Sequence, residues 1–145
     1  MCNYCSITAA IVLVIFVAGL RGEEPVNLAP KAEVSASSEY SDDHLAKWAV
    51  DGKVPELECR ADQREAWCVR GSDGKHGEFA LAWPQPVEIA EIVYFGRTGQ
   101  IIQECFKDYE VYLDNAAEPV AKGVFEMRHG PQRVAISKSI VRKVR

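Results

Sequence analysis

The sequence predicts an all-β protein, an antiparallel β-sandwich in a single domain. Apolar and polar residues alternate over short runs, and Gly, Pro, Asn and Asp separate the runs. No window carries an apolar stripe of three helical turns. A length of 145 residues with 48% hydrophobic content is enough for one buried core. Short, punctuated strands of this kind are typical of two antiparallel sheets packed face to face.

The first elements are a strand and a short helical turn. Residues 32–40, "AEVSASSEY", alternate small and polar residues and predict the first strand. Residues 42–50, "DDHLAKWAV", predict a helical turn, because Asp42 or Asp43 can cap it. The apolar residues spaced to share one face of that turn are Leu45, Trp48 and Ala49.

The middle of the chain predicts a hairpin followed by a long β run. Residues 67–69 are strand-like, and residues 71–77, "GSDGKHG", have turn chemistry. The residues that follow at period two on one face are Phe79, Leu81 and Trp83. After "PQP", residues 87–97 favour a strand, and the parity of their apolar positions changes near Ala90. That change predicts a bulge or a turn there.

The last third predicts three more strands. They cover residues 108–115, 120–127 and 132–139. The residues expected on one face of the first of these are Tyr109, Val111 and Leu113. Residues 137–145, "SKSIVRKVR", interleave basic and apolar residues, and we interpret them as a strand edge with solvated charges instead of a phosphate-binding tail. The formal net charge of −4 is mildly acidic, which argues against general nucleic-acid binding.

An apolar segment near the N-terminus predicts export. Ile7–Leu20 is uncharged and too short for a comfortable membrane span, but it has the length of a secretory h-region. We therefore expect residues 1–22 to be a signal peptide and residues 23–145 to form the domain, which would be secreted, extracellular or periplasmic. No basic residue precedes the segment and Arg21 follows it, so an uncleaved anchor is the alternative.

If the protein is exported, its cysteines lie in an oxidising compartment where disulfides can form. Cys59, Cys68 and Cys105 follow the leader, and the first two close a small loop that is compatible with a disulfide. The third is then expected to be a buried or free thiol. None of the three forms a C-x-x-C pair or has a histidine at zinc-ligand spacing, so a redox or zinc role is not expected.

The order of four motifs resembles a known family. Residues 27–41, "WAVDGKV" at 48–54, "EAWCVRG" at 65–71 and residues 77–97 follow one another as in the discoidin, or coagulation-factor type C, domain. Its carbohydrate-binding relatives share this order, and the resemblance spans about residues 26–137. It implies a galactose-binding-like jelly roll of about eight strands that binds ligands with loops at one end and is not catalytic.

The resemblance also implies a structural calcium ion at "WAVDGKV". Asp51 would supply the charge and the carbonyls of Trp48 and Lys53 further oxygens, while Gly52 lets the chain turn sharply. The alternative is an Asx turn in which Asp51 bonds its own backbone. The family usually finishes with a further strand pair, so we expect either a longer frame beyond Arg145 or a sandwich with an exposed edge and an incomplete cation site.

The function predicted first is glycan binding by the end loops. Sugar sites combine an aromatic face with polar groups that bond hydroxyls, and the loop candidates are Tyr40, His44, Arg97 and Phe106. Each has a plainer alternative: Tyr40 covers its loop, His44 decorates a turn, Arg97 pairs with a carboxylate, and Phe106 fills the core. The tryptophans expected in the core are Trp48, Trp67 and Trp83.

Two other function classes remain open. An adhesion or scaffold module would bind protein or anionic lipid, although Ile101 and Ile102 in the 97–106 loop have little positive charge around them, so membrane lipid is the weaker option. An enzyme is least expected, because no Gly-x-Ser-x-Gly motif occurs and the three histidines suggest no triad. If there is catalysis, we expect it in another domain of a larger hydrolase, in which this module would be an accessory domain.

Overall fold

The architecture consists of antiparallel strands in two sheets. The computed structural model describes residues 26–58, 62–73, 76–97 and 104–145. Its strands are β1 (Glu33–Ala36), β2 (Phe79–Gly96), β3 (Asp108–Val111), β4 (Ala121–Val124) and β5 (Gly130–Val144). One sheet has the order β1-β2-β5 and the other pairs β3 with β4, and every pairing is antiparallel. The predicted all-β fold class is confirmed.

Helical structure in this part of the chain is confined to 3-10 turns. They are Ala29–Lys31, Asp42–His44, Ala46–Ala49 and Gly71–Asp73. None of these turns has the length or the apolar character that a bilayer-crossing helix requires. The two central turns confirm the helical turn predicted at 42–50, but the predicted aspartate cap is wrong. The N-cap residue of the first turn is Ser41, and its side chain makes no capping hydrogen bond.

Strand β2 joins two predicted strands into one. It pairs with β5 from Leu81↔Val144 to Gly96↔Gly130, with register shifts between Ala82 and Val87 and between Ile89 and Glu91. The first shift lies at "PQP", where two prolines have no N–H to give to a ladder. The second shift confirms the irregularity predicted near Ala90.

The C-terminal end of β5 connects the two sheets. On one side Val144 pairs with Leu81 of β2, and on the other it bridges Leu113, which follows β3. Arg145 and Tyr112 exchange two backbone hydrogen bonds of 2.8 and 2.9 Å. Val144 is buried whereas Arg142 is exposed, so the predicted strand with solvated charges is confirmed.

The core is divided into two apolar clusters. The main cluster lies between the sheets and contains, among others, Leu81, Trp83, Ile89, Ile92, Val111, Val134 and Val144. Three rings connect the sheets, since Phe125 stacks on Tyr94 at 4.1 Å and on Tyr109 at 4.3 Å between centroids. The second cluster contains Ala46, Ala49, Trp67 and Val69. Burying a large apolar side chain in such a cluster stabilises the fold by about 2 kcal/mol.

Two expectations about the middle of the chain are wrong. Residues 67–69, predicted as a strand, form none; they are held instead by loop contacts, such as the bond from Trp67 Nε1 to the Ser38 carbonyl at 2.8 Å. Trp67 and Trp83 are buried as predicted. Trp48 is only half-buried: its indole N–H donates to the Asp42 carbonyl at the surface, and the Lys47 ammonium lies 4.5 Å from its ring.

Candidate functional site

Two loops meet at the end of the molecule where β2 finishes. Backbone bonds connect them: Tyr40 N–H donates to the Cys68 carbonyl at 2.7 Å and Arg64 N–H to the Asp43 carbonyl at 2.7 Å. A third bond runs from Cys68 N–H to the His44 carbonyl at 3.2 Å. Beside them lies a polar cluster that we call the end-loop site, which consists of Tyr40, Ser41, His44, Asp62, Arg97 and Glu104.

Asp62 is the centre of the end-loop site. Its carboxylate accepts two bonds from Arg97, one from Nε and one from Nη2, each 2.6 Å long. Arg97 Nη1 also donates to Glu104 Oε2 at 2.7 Å. Asp62 is 1% exposed and Arg97 is 6% exposed. The pair is therefore a bidentate ion pair almost free of water, a geometry that fixes both side chains.

The ion pair keeps Asp62 ionised. Burial by itself would raise the pKa of this carboxyl group, but the hydrogen bonds from His44 and Arg97, together with the positive charge of Arg97, outweigh burial and lower the pKa to about 2. Burial by itself would lower the pKa of the Arg97 guanidinium, but the hydrogen bond to Asp62 and the negative charges around it, including Glu104, raise that pKa above its ordinary value. The lowered pKa of Asp62 and the raised pKa of Arg97 both keep the two groups charged, as a stable ion pair requires.

His44 is held by partners on both ring nitrogens. Its Nε2 lies 3.4 Å from Asp62 Oδ1, and its Nδ1 lies 3.1 Å from Ser41 Oγ. Since Asp62 is ionised, the neutral ring is assigned the tautomer in which Nε2–H faces Asp62 and Nδ1 accepts the Ser41 hydroxyl. The buried Asp62 carboxylate and the Ser41 hydroxyl at the surface thus orient the ring. A hydroxyl group of a ligand could take the place of the Ser41 hydroxyl.

Ser41, His44 and Asp62 follow one another as in a nucleophile triad, an arrangement that the sequence analysis did not foresee. A triad needs a carboxylate whose charge is available to an imidazolium ion. Here Arg97 binds both oxygens of Asp62, so that charge is already compensated. The chain of contacts therefore fixes the orientation of the His44 ring.

Tyr40 gives the site an exposed aromatic ring. It is 50% exposed, and its ring lies edge-on to His44 with 5.9 Å between centroids. A half-exposed aromatic ring can pack against the apolar face of a sugar, and oriented polar groups next to the ring can bond the sugar hydroxyls. The structure thus brings together three of the four predicted ligand residues, Tyr40, His44 and Arg97.

Arg97 and Phe106 have the structural roles that were the alternatives to ligand binding: Arg97 pairs with carboxylates, and Phe106 packs in the interior. Arg97 is engaged by carboxylates below the surface, so it supports the site and presents little of its side chain. Phe106 is partly buried and packs against the second core cluster, with 5.7 Å between its ring centroid and that of Trp67. Sequence reasoning missed Asp62, which lies between Cys59 and Cys68 without any pattern that distinguishes it from the other acidic residues of the chain.

The turn at Asp51 has the geometry of an Asx turn. Asp51 Oδ1 accepts the Lys53 N–H at 3.0 Å, and the Lys53 ammonium lies 3.7 Å from Oδ2. Gly52 has φ +87°, the left-handed conformation that such a sharp turn needs. In the described ranges no three His, Cys, Asp or Glu residues converge on a metal position. Calcium there, with the carbonyl of Trp48 as a further ligand, stays a prediction.

The described cysteines are buried. Cys68 is 2% exposed and Cys105 is 4% exposed. Cys105 Sγ accepts the Arg97 backbone N–H at 3.1 Å, and burial raises the pKa of its thiol. For Cys105 the sequence predicted a buried or free thiol, and the structure shows it buried. Cys59 lies outside the described residues, so the Cys59–Cys68 disulfide stays a prediction.

The fold defines a class of protein, the antiparallel β-sandwich with a polar site at one end. The structure is similar to a Clostridium perfringens family 32 carbohydrate-binding module in complex with GalNAc-β-1,3-galactose, with a TM-score of 0.60, 18% identity, and coverage of 80% of this chain and 82% of that one. It is equally similar to the family 32 module of C. perfringens NanJ in complex with galactose, with a TM-score of 0.60, 18% identity and 80% coverage of both chains.

At this identity the similarity shows a shared fold. The galactose-binding-like sandwich that the resemblance implied is therefore confirmed. A relationship to discoidin domains in particular stays a prediction. No protein-family model matches the chain, and no curated protein does.

Proposed function

We propose that this chain is a non-catalytic carbohydrate-binding module, exported from the cell, that takes galactose-containing glycans at the end-loop site. The observation that carries the proposal is the half-exposed Tyr40 ring beside an imidazole oriented by the buried Asp62–Arg97 pair. The shared fold supports it, because both similar modules were solved with galactose or a galactose-containing disaccharide.

The expected binding is weak for a single sugar. Tyr40 provides an apolar platform, and the Ser41 hydroxyl and the His44 ring provide hydrogen-bonding groups next to it. A monosaccharide on an open site gains about 0.3 kcal/mol per non-hydrogen atom, which corresponds to a dissociation constant on the order of 1 mM. Longer glycans or several modules together would bind more tightly.

A glycan array followed by galactose titration tests the proposal. We expect galactose-terminated glycans to be retained, and Tyr40→Ala to lose this retention while keeping its stability, because the ring is half out of water. Ile140→Ala is the matched control, since Ile140 is an exposed apolar residue beside Glu88, far along β2 from Arg97. Unchanged retention by Tyr40→Ala would contradict the assigned site.

The alternative function is an adhesion or scaffold module that binds protein or anionic lipid. Residues 98–103, which include the apolar pair Ile101 and Ile102, lie outside the described residues. An array with no retained glycan, together with a protein partner kept on a column of the immobilised domain, would favour that alternative. Export is tested separately by the N-terminal sequence of the protein recovered outside the cell, which we expect to begin after residue 22.

A further inference from the structure

Arg64 has an unusual backbone conformation beside the end-loop site. Its φ is 61°, in the left-handed region, where a residue with a Cβ atom is strained. In the part of the chain that the structure describes, the non-glycine residues with a positive φ are Arg64 and Asp114. Aspartate has a short polar side chain that eases this conformation, whereas arginine has none. The backbone by itself would therefore favour glycine at position 64.

The strained residue lies in a tight turn that begins at Asp62. Glu65 N–H donates to the Asp62 carbonyl at 3.0 Å, which closes a four-residue turn with Arg64 in its third position. A positive φ at the third position is the pattern of a type II turn, where glycine or asparagine is the usual residue. A glycine would form the same turn without strain, so the turn does not require arginine.

Arg64 binds Asp43, the residue directly before His44. Its backbone N–H donates to the Asp43 carbonyl at 2.7 Å, and its Nε donates to Asp43 Oδ1 at 3.1 Å. At the start of the same turn, Asp62 Oδ1 lies 3.4 Å from His44 Nε2. The Asp43–Arg64 pair therefore joins the same two loops as the His44–Asp62 pair, and it lies directly beside it in both segments.

The Asp43–Arg64 ion pair adds little to the stability of the fold. The side chains of Arg64 and Asp43 are 68% and 46% exposed. An ion pair that is so exposed to water is usually worth less than the strain of a left-handed backbone at a residue with a Cβ atom. Arg64 is thus expected to lower the stability of the chain, and a strained residue beside a binding site points to a role in that site.

The loop that carries His44 has little regular structure of its own. Its 3-10 turn is three residues long, and no side chain caps the start of that turn. Backbone bonds connect the loop to Cys68, from Tyr40 N–H and to the His44 carbonyl, but they do not involve the turn that begins at Asp62. Beside the His44–Asp62 contact itself, the bonds of Arg64 connect that turn to the His44 loop.

The contact between His44 and Asp62 is the first that a movement of this loop would break. Its distance of 3.4 Å is long for a hydrogen bond, so a further separation of a few tenths of an ångström leaves the ring without that partner. The two bonds of Arg64 hold the residue next to His44 and oppose such a movement.

We propose that Arg64 is a positioning residue of the end-loop site, whose bonds to Asp43 hold the His44 ring in the orientation that meets a sugar hydroxyl. Its effect on affinity rests on the glycan-binding function proposed above. The strain and the bonds act in opposite directions, since the strain lowers stability and the bonds support binding. Replacing Arg64 by glycine therefore separates stability from affinity.

Urea unfolding and galactose titration of Arg64→Gly in the full chain test the proposal. We expect the urea midpoint to equal or exceed that of the wild type, because glycine adopts this φ without strain, although its freedom in the unfolded chain offsets part of the gain. We expect the affinity for galactose to fall about threefold to tenfold. A lowered midpoint or an unchanged affinity would overturn the proposal.

Asp114→Gly is the matched control. Asp114 also has a positive φ, of 49°, and its Oδ1 accepts the Arg142 and Lys143 N–H groups at 2.8 and 3.0 Å. These contacts lie near the end of β5, whereas the end-loop site lies where β2 ends opposite Gly130, the first residue of β5. We expect Asp114→Gly to keep its galactose affinity. A loss equal to that of Arg64→Gly would contradict the role assigned to Arg64.

A double-mutant cycle with Asp43 tests whether the two residues act together. Asp43→Ala should weaken galactose binding by the same factor as Arg64→Gly, and the double variant should bind no more weakly than either. Asp43→Asn keeps an oxygen that can accept the Arg64 Nε–H and should restore most of the affinity. Losses that multiply in the double variant would mean that the two residues act separately, which would overturn the proposal.

A further readout needs no sugar. Exchange of the His44 Nε2 proton with water, followed by NMR, reports the contact with Asp62. We expect this exchange to be at least threefold faster in Arg64→Gly and unchanged in Asp114→Gly, and equal exchange in all three proteins would overturn the positioning role. A wild-type chain that binds no glycan but shows the faster exchange in Arg64→Gly would refute the proposed function and support the positioning of His44 by Arg64.

Discussion

The substitution Asp62→Asn is expected to destabilise the fold more than any surface change. It removes the charge that compensates Arg97 and weakens two hydrogen bonds of 2.6 Å, while the Arg97 side chain stays 7% exposed. Removing one partner of a buried ion pair costs roughly 3–5 kcal/mol, because the other charge is left uncompensated. Glu104 still accepts a bond from Arg97 at 2.7 Å, so we expect the low end, about 3 kcal/mol.

Urea unfolding followed by tryptophan fluorescence measures this loss. The double variant Asp62→Asn/Arg97→Met removes both charges, and we expect it to recover part of the lost stability, because neither charge of the pair is then left buried without its partner. A loss below about 0.5 kcal/mol for the single variant would refute the reasoning, because that is the range of ordinary surface substitutions.

The same pair predicts a pH dependence. The folded pKa of Asp62 is about 2, below the ordinary value of 3.8. Its ionisation therefore contributes stability that is fully present above the ordinary value and is lost as the pH falls through the folded pKa. The contribution is about 2 kcal/mol. We expect the stability difference between the wild type and Asp62→Asn to shrink by this amount between about pH 5 and pH 2, and a constant difference would contradict the linkage.

Three further predictions concern packing and calcium. Phe106→Ala removes a partly buried ring that is tilted against Trp67 and should lower the free energy of unfolding by about 2 kcal/mol, measured in urea, without changing galactose retention. Gly96→Ala places a methyl group against the Arg128 carbonyl oxygen and should cost about 1–3 kcal/mol by the same measurement; an unchanged midpoint would show that the strand end can shift. If calcium binds the turn at Asp51, the ion should raise the melting temperature of the wild type but not of Asp51→Asn, and an identical response of both would exclude this site.

The alternating patterns of the strands were predictable because they are local. Leu81, Trp83 and Ile89 occupy the core positions that a period of two indicates, and the bulge near Ala90 follows from a change of parity that any sandwich must accommodate. The pattern failed at residues 67–69, a run with strand-forming residues in which Trp67, Cys68 and Val69 are all buried. These residues lie in a loop that contacts Ser38. The sequence therefore predicted correctly that Trp67 is buried, but it predicted a strand where the structure has a loop.

The end-loop site was predictable only in part. Tyr40 and His44 were found because an aromatic residue and a histidine in one short loop suit sugar recognition. Arg97 was found as well, but its partner Asp62 was not, because 35 residues separate the two in sequence. No periodic signal connects residues in different loops.

By itself, the sequence determined the class of fold, the content of the main core and the mildly acidic surface, since these depend on composition and on the two-residue period of a strand. The tertiary structure decided which loops meet: it placed Asp62 beside His44 and buried Arg97. The physical reason is that strand periodicity acts over neighbouring residues, whereas an ion pair depends on how distant segments close on one another.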